Sequence, residues 1–352
     1  MKKEKSKSGI SRRQFLGGAG AALIGLAALP EIGRVFGVDT AGAALSENSK
    51  SKTKPGGRGV VVIARDKSIW DGDKLNRDKV NNLVFKAVRA LSGASGDEAA
   101  WKTFFDSGDS VSIKMNCIGG KWMSTTPAVT EAIITGILLA GVQPRKVMAW
   151  DRTQWEVRNA GYKYGSDKRG VRFIATDDDD IRYEGDLSTW GEVGSLVSRI
   201  AARLSTAMVN APVLKDHDMT GISCALKNWY GAINNPNKLH ENACDPYIAD
   251  LNMLPVFRDK TKLIVCDATT GQYNGGPSHK PKYTWRYSGV IAGTDPVAVD
   301  TVAHRIIEDK RKAEGLKSLK AEGRPPTFLQ TAGDGRHKLG ENRYEKIRII
   351  EV

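Results

Sequence analysis

The chain has 352 residues and a formal net charge of +13, from 53 Lys and Arg against 40 Asp and Glu. That length supports a substantial buried core without cross-links, arranged as one large or two modest domains. The lysines and arginines are scattered and no DNA- or RNA-binding motif occurs, so the basic balance points to small anions or anionic surfaces rather than nucleic acid.

Residues 1–43 read as a secretory signal of twin-arginine type. Ser11-Arg12-Arg13-Gln14-Phe15-Leu16 runs into a Gly/Ala-rich apolar stretch, Gly17 to Leu29, and small residues follow at Ala41-Gly42-Ala43. The apolar stretch is too short and too glycine-rich for a comfortable bilayer span. The expectation is a mature protein that begins near Ala44 and is passed folded through the twin-arginine export machinery. It would work in the periplasm or otherwise outside the cytoplasm, with no stable membrane span. Folded export suits proteins that acquire a cofactor before crossing, without naming one. Without this segment the net charge is about +9.

Residues 44–57 are polar and aperiodic and read as a flexible leader, and residues 58–352 read as an α/β domain. The first strand is Gly59 to Ala64, a continuous apolar run. Val80, Leu83, Val84, Ala87 and Leu91 then fall on one helical face. A strand at Val111 to Asn116 precedes a helix opened by Thr126 as cap and Pro127 at its first position, ending at Gly141. Further strands are expected at Lys146 to Trp150, Val171 to Ile174, Ala207 to Asn210 and Lys262 to Cys266. A helix starts at Asp295-Pro296, and Lys346 to Ile350 closes the chain as a strand. Alternation of this kind gives a mostly parallel sheet with helices on both faces, in Rossmann-like layers.

In such sheets ligands bind beyond the carboxyl ends of the strands. Lys114 and Asn116 end one strand, Asp151 another, and Asp267 follows a third; Lys215, Asp216 and His217 come after Pro212. The densest segment is Leu214 to Gly231, which reads as a glycine-bounded turn and a short apolar stretch carrying Lys215, His217, Lys227 and Asn228. Polar strand ends also simply meet water, and an Asp there often caps the next turn.

Several segments resemble the domain of unknown function 362 family: Ile113-Lys114-Met115-Asn116, Leu214-Lys215-Asp216-His217, Ala225 to Gly231, Gly275-Gly276-Pro277 and Ala292 to Asp300. The likeness runs from about residue 58 to residue 308, its most specific parts being Gly-Thr-Asp-Pro-Val-Ala-Val-Asp and Leu-Lys-Asn. It implies an α/β domain of largely uncharacterised activity. Some relatives add a ferredoxin-like cysteine segment, which has no counterpart here. Met115 stands where proline is common, and Asp216 where threonine is common.

Chemistry assigns candidate roles. Lys114, Asn116, Asn228, Asp151 and Asp267 are candidate substrate-binding residues, the lysine as a donor to a carboxylate or phosphate and the asparagines as orienting partners. His217, Lys215 and Lys227 are candidate catalytic residues: the histidine as general acid or base, the lysines for proton transfer or Schiff-base chemistry once crowding lowers their pKa. The expected function is an exported enzyme for a small anionic substrate. The alternative is a non-enzymatic ligand- or metal-binding partner of exported redox enzymes, with His217, His240 and Asp250 (or Asp267) as weak metal ligands lacking a recognised spacing. There is no Cys-x-x-Cys pair for an Fe–S cluster, no nucleotide fingerprint, no P-loop and no G-x-S-x-G elbow. Cys117, Cys224, Cys244 and Cys266 leave disulfide pairing open, including a Cys224–Cys244 pair. Trp122, Trp155, Trp229 and Tyr230 are candidate pocket aromatics or plain packing residues.

Overall fold

A computed structural model describes residues 56–352. The expected signal with Arg12 and Arg13, its expected cleavage site and the expected leader up to residue 55 lie outside the described residues. Strand β1 is Val60–Arg65, helix α1 Arg77–Ser92, β2 Val111–Lys114, α2 Pro127–Leu139, β3 Val147–Asp151, β4 Arg172–Ala175 and β5 Ala207–Asn210. Then come β6 Val213–His217, β7 Gly221–Ser223, α3 Ala225–Asn228, α4 Tyr247–Met253, β8 Thr261–Gln272, β9 Gly289–Gly293, α5 Pro296–Ala313 and β10 Arg348–Glu351.

One 12-stranded sheet runs in the order β10-β1-β9-β8-β5-β2-β3-β4 and ends on the short strand Gly165–Ser166. The stretch β8-β5-β2-β3-β4 is parallel, with Val209 beside Ile113 and Ile113 beside Ala149. β9 runs antiparallel to β1 and β8, while β10 is parallel to β1. The sheet is therefore mostly parallel but mixed, and the α/β class expected from the alternation is the one observed.

Strand side chains alternate between faces, and this alternation makes two cores. Val62, Ala64, Ile113, Ala149 and Val265 pack with α1 and α2 on one face. Val61, Ile63, Trp150, Ile264 and Ile291 pack with α3, α4 and α5 on the other. α1 turns Val80, Leu83, Val84, Val88 and Leu91 inward. Each such side chain contributes about 1.5–3 kcal/mol on burial, so Val84→Asp would break this layer. Caps fix the helix starts: Asn76 accepts from Lys79 N at 3.1 Å, and Asp295 accepts from Ala298 N at 2.9 Å. Gly136 lets α2 lie on the ring of Trp101, where an added Cβ would fall 1.9 Å from a ring carbon.

Two sequence expectations need correction. β8 does not end at Cys266; it continues to Gln272 because Val213 and Lys215 of β6 pair along its second half and Trp285 pairs with Gly271. Within the continuation, Thr269 and Thr270 are β-branched and sit well in a strand. Residues 214–224 are likewise no simple turn. They form the β6–β7 hairpin, in which Lys215 opposes Ser223.

Candidate functional site

The parallel strands β2 and β3, together with β6 and α3, end at one rim, around a cleft of about 150 Å³. Lys114, Asn116, Asp151, His217, Lys227 and Asn228 all line it, with Tyr230, His240, Arg152 and Glu156 beside them. The structure thus brings together six of the eight residues singled out for catalysis and substrate binding.

Lys114 comes from the end of β2 and reaches Asp151 at the end of β3, Nζ to Oδ1 2.7 Å, with both groups buried. It also donates to the Met115 carbonyl at 2.7 Å. Asp151 accepts two more hydrogen bonds, from Cys117 N at 2.5 Å and Arg152 N at 2.8 Å, so its charge is fully engaged. Gly231 closes over this pair. An added Cβ there would lie 2.8 Å from both Asp151 Oδ1 and Lys114 Nζ.

Lys215 stands one layer behind the cleft wall. Only 1 % exposed, it donates to Asn116 Oδ1 at 2.7 Å. That bond starts a directional chain: Asn116 Nδ2 donates to Asn228 Oδ1 at 3.1 Å, Asn228 Nδ2 to Asn210 Oδ1 at 2.8 Å, and Asn210 Nδ2 to the Ala225 carbonyl at 2.8 Å. Each amide's orientation is fixed by its neighbour, because a lysine only donates and a carbonyl only accepts. Burial pushes the Lys215 ammonium down to about 8, against the opposing pull of Asp151.

Lys227, on α3, is 7 % exposed and lies over the Tyr230 ring, Nζ 4.3 Å from its centroid. Its Nζ is 3.3 Å from His240 Nε2. His240 Nδ1 is 2.9 Å from the Pro236 carbonyl, which can only accept, so the ring proton sits on Nδ1 and Nε2 presents its lone pair to Lys227. Among the described residues, neither Lys215 nor Lys227 forms an ion pair with a carboxylate. Burial lowers the pKa of Lys227 and, together with the Lys227 charge, that of His240.

His217 ends β6 and stacks near His240, ring centroids 6.3 Å apart. Its Nδ1 accepts from Met219 N at 3.2 Å, which places the proton of the neutral ring on Nε2. Burial first, then the charges of Lys227, His240, Lys215 and Arg324, push its pKa down to about 2. The Asp218 carboxylate lies 3.1 Å from Nδ1 but is 65 % exposed, so solvent screens it and the ring stays neutral. His217 is thus a neutral N–H donor, a narrower role than the general acid or base expected from its residue type.

Two expected members lie elsewhere. Asp267 faces the amino end of α2, where it accepts from Thr126 N and Oγ1, both at 2.7 Å, and from Thr269 N and Oγ1 at 2.9 and 2.7 Å. Asp250 on α4 accepts from Glu192 N at 2.7 Å and pairs with His337 Nε2 at 2.8 Å. The set His217, His240 and Asp250 is therefore not assembled. Among the described residues no group of three His, Cys, Asp or Glu side chains is placed to hold a metal ion. The four cysteines are buried free thiols. Cys224 lies against Cys266, sulfurs 3.5 Å apart, rather than Cys244. Trp229 stacks on Phe257 in the core, centroids 4.7 Å apart, and Trp122 and Trp155 are exposed; only Tyr230 of the four aromatics lines the cleft.

Two aspartates to which the sequence reading gave no role support the site. Asp300, fully buried on α5, accepts from Ala225 N at 2.6 Å and Leu226 N at 3.1 Å and so anchors α3. The sequence signal was an aspartate on the apolar face of a helix. Asp216, buried beneath His217, accepts from Gly276 N at 2.8 Å and pairs with Arg324 at 3.0 Å. Gly276 has no room for a side chain, since a Cβ would lie 2.1 Å from the Asp216 carbonyl oxygen.

No helix among the described residues is long and apolar enough to cross a membrane. No curated protein matches the chain. Among solved structures, a protein from Thermotoga maritima is similar at 11 % identity and a TM-score of 0.37, over 70 % of this chain. The match spans 61 % of that protein's length. Residues 111–305 match the family described as Domain of unknown function (DUF362), and this stretch contains every residue of the cleft named above. The chain belongs to the domain of unknown function 362 family.

Proposed function

We propose that the protein is an exported enzyme that binds a small anion, a carboxylate or phosphate, in the cleft at the carboxyl rim of the sheet. The observation that carries this reading is Lys227: a buried ammonium on the cleft wall whose hydrogen-bond partner is a neutral imidazole and not a carboxylate. A buried cation without a counter-ion is costly unless a ligand supplies the negative charge. Lys215 adds positive charge from behind Asn116, while the Lys114 and Asp151 charges offset each other. The cleft, about 150 Å³, is small beside the ~300–1,000 Å³ typical of drug-sized ligand sites. That scale suits a molecule of a few heavy atoms. Neutral His217 supplies a directed N–H to the bound oxygen, and Lys227 with His240 supplies a site for proton exchange.

Titration calorimetry with a panel of small carboxylates and inorganic phosphate tests the reading. At least one anion binds, the affinity falls with added salt, and Lys227→Met weakens it tenfold or more. If no panel member binds, the reading fails. Export through the twin-arginine route is proposed on the Arg12-Arg13 segment. Arg12→Lys combined with Arg13→Lys should hold the protein in the cytoplasm; normal export of that variant refutes the route.

A further inference from the structure

Lys227 is set up as a nucleophile as well as a cation. It lies on the cleft wall, its hydrocarbon stem buried and its Nζ above the Tyr230 ring, 3.3 Å from a histidine nitrogen whose lone pair is turned toward it. The Pro236 carbonyl fixes that tautomer, so His240 Nε2 is a base directed at the lysine. A lysine used only to hold an anion needs no such base, and a carboxylate partner would keep its ammonium charged. Here a neutral acceptor stands where that carboxylate would be. The same wall carries His217, a neutral ring with its N–H at Nε2, suited to polarising a carbonyl oxygen.

Resting on the anion-site reading above, we propose that Lys227 forms a Schiff base with a small 2-oxo carboxylate. The carboxylate would answer the positive charge of the cleft, and the adjacent carbonyl would meet Lys227. The Lys227 ammonium passes a proton to His240 Nε2, and the freed nitrogen lone pair forms a bond to the carbonyl carbon. The C=O π pair moves to oxygen, which takes the proton back from the His240 imidazolium. The new C–N nitrogen then gives a second proton to His240, which returns it to the hydroxyl as the C–O bond breaks. Water leaves, the nitrogen pair closes the C=N bond, and the protonated imine retains the one charge the ammonium had. No oxidant or reductant is consumed.

The test treats the full chain with pyruvate and sodium borohydride, whose hydride reduces an imine to a stable secondary amine. Intact mass and peptide mapping locate the adduct, and calorimetry with pyruvate runs in parallel. One dominant adduct on Lys227 is expected, suppressed at least tenfold by excess acetate, which has no ketone. Lys227→Arg, with folding checked by circular dichroism, loses the adduct. Lys227→Met provides a second variant that also loses it. Pyruvate binding without an adduct above the level of surface lysines overturns the Schiff-base role and leaves the anion site standing. So does an adduct that survives both substitutions, or phosphate binding with none of pyruvate. Failure of pyruvate and every other anion to bind overturns both readings.

Discussion

Asp300, in the second turn of α5, accepts a hydrogen bond at 2.6 Å from the backbone amide of Ala225, 75 residues earlier in the chain. Through this bond and the one from Leu226, a helix outside the cleft holds the first turn of α3, which carries Lys227 and Asn228 into it. The family segment Gly-Thr-Asp-Pro-Val-Ala-Val-Asp then has a physical reading: Asp295 caps α5, Pro296 occupies its first position, and Asp300 positions the site helix. Asp300→Ala leaves two buried amides without acceptors, each costing about 1–3 kcal/mol. The expected outcome is a loss of about 2–6 kcal/mol in denaturant unfolding, with anion affinity reduced in whatever fraction stays folded. An unchanged unfolding midpoint would show that α3 is held by packing alone.

Lys215 makes the fold more stable as pH rises, the reverse of a lysine whose ammonium the fold favours. Its folded pKa of about 8 lies below the ordinary lysine value of ~10.4. Between these values the unfolded chain holds the proton and the folded chain does not, so folding gains stability as pH rises from about 8 to ~10.4. Below pH 8 the buried ammonium carries its full cost. A shift of two to three units corresponds to about 3 kcal/mol. The Lys215→Met variant lacks this dependence. The stability difference, wild type minus variant, should therefore rise by up to about 3 kcal/mol between pH 7 and pH 10.5, read from urea midpoints at both values. A difference that stays constant would mean Lys215 titrates normally in the fold.

Much of the architecture was legible in the residues. Thr126-Pro127 and Asp295-Pro296 mark helix starts because a capping oxygen and a proline satisfy the same local geometry wherever they occur. The runs at 60–65, 147–151 and 207–210 are strands because both faces of the sheet are covered. The carboxyl-rim location of Lys114, Asp151 and His217 followed from parallel topology. What could not be read depends on distant partners. Asp267 looks like a strand-end ligand until Thr126, 141 residues away, is seen to occupy it. Asp250 looks free until His337 is found beside it. The proton positions on His217 and His240 depend on the Met219 amide and the Pro236 carbonyl, and residue type alone carries no such information.

Gly231→Ala probes the Lys114–Asp151 pair without touching either residue. The added methyl would lie 2.8 Å from both charged atoms, inside normal contact distance. Separating a buried pair typically costs about 3–5 kcal/mol when a charge is left uncompensated; displacement by a methyl should cost part of that, about 1–3 kcal/mol. Anion affinity should fall alongside stability, since this pair forms one wall of the cleft. Gly231→Ala binding the anion as well as wild type would show that the Lys114–Asp151 geometry is irrelevant to the ligand.

Asp267→Asn separates the structural from the ligand-binding assignment of that residue. The carboxylate accepts four hydrogen bonds, from Thr126 and Thr269, and an amide replaces one accepting oxygen with a donor. Mismatched donors at the start of α2 should destabilise the protein by about 1–3 kcal/mol. Anion affinity in the folded variant should remain within twofold, because Asp267 does not line the cleft. A tenfold change in affinity with unchanged stability would restore Asp267 to the binding site.

His217 distinguishes a fixed donor from a proton shuttle. Glutamine carries an oxygen that can accept from the Met219 amide and an NH₂ that can donate toward the cleft, so it reproduces both polar functions of the neutral ring but cannot take up a proton. A hydrogen bond to a charged ligand is worth about 1.5–3 kcal/mol, which corresponds to roughly 10–100-fold in affinity. His217→Ala should lose that factor in anion binding, and His217→Gln should recover most of it. The ratio of wild-type to His217→Gln affinity should also stay flat between pH 5 and pH 7, because a ring held down at about 2 does not titrate there. Glu156, whose carboxyl is pushed up by burial and by Asp151, is present in both proteins and cancels from the ratio. If glutamine proves as damaging as alanine, or the ratio follows a titration near pH 6.5, His217 carries a proton in the reaction and the neutral-donor assignment is wrong.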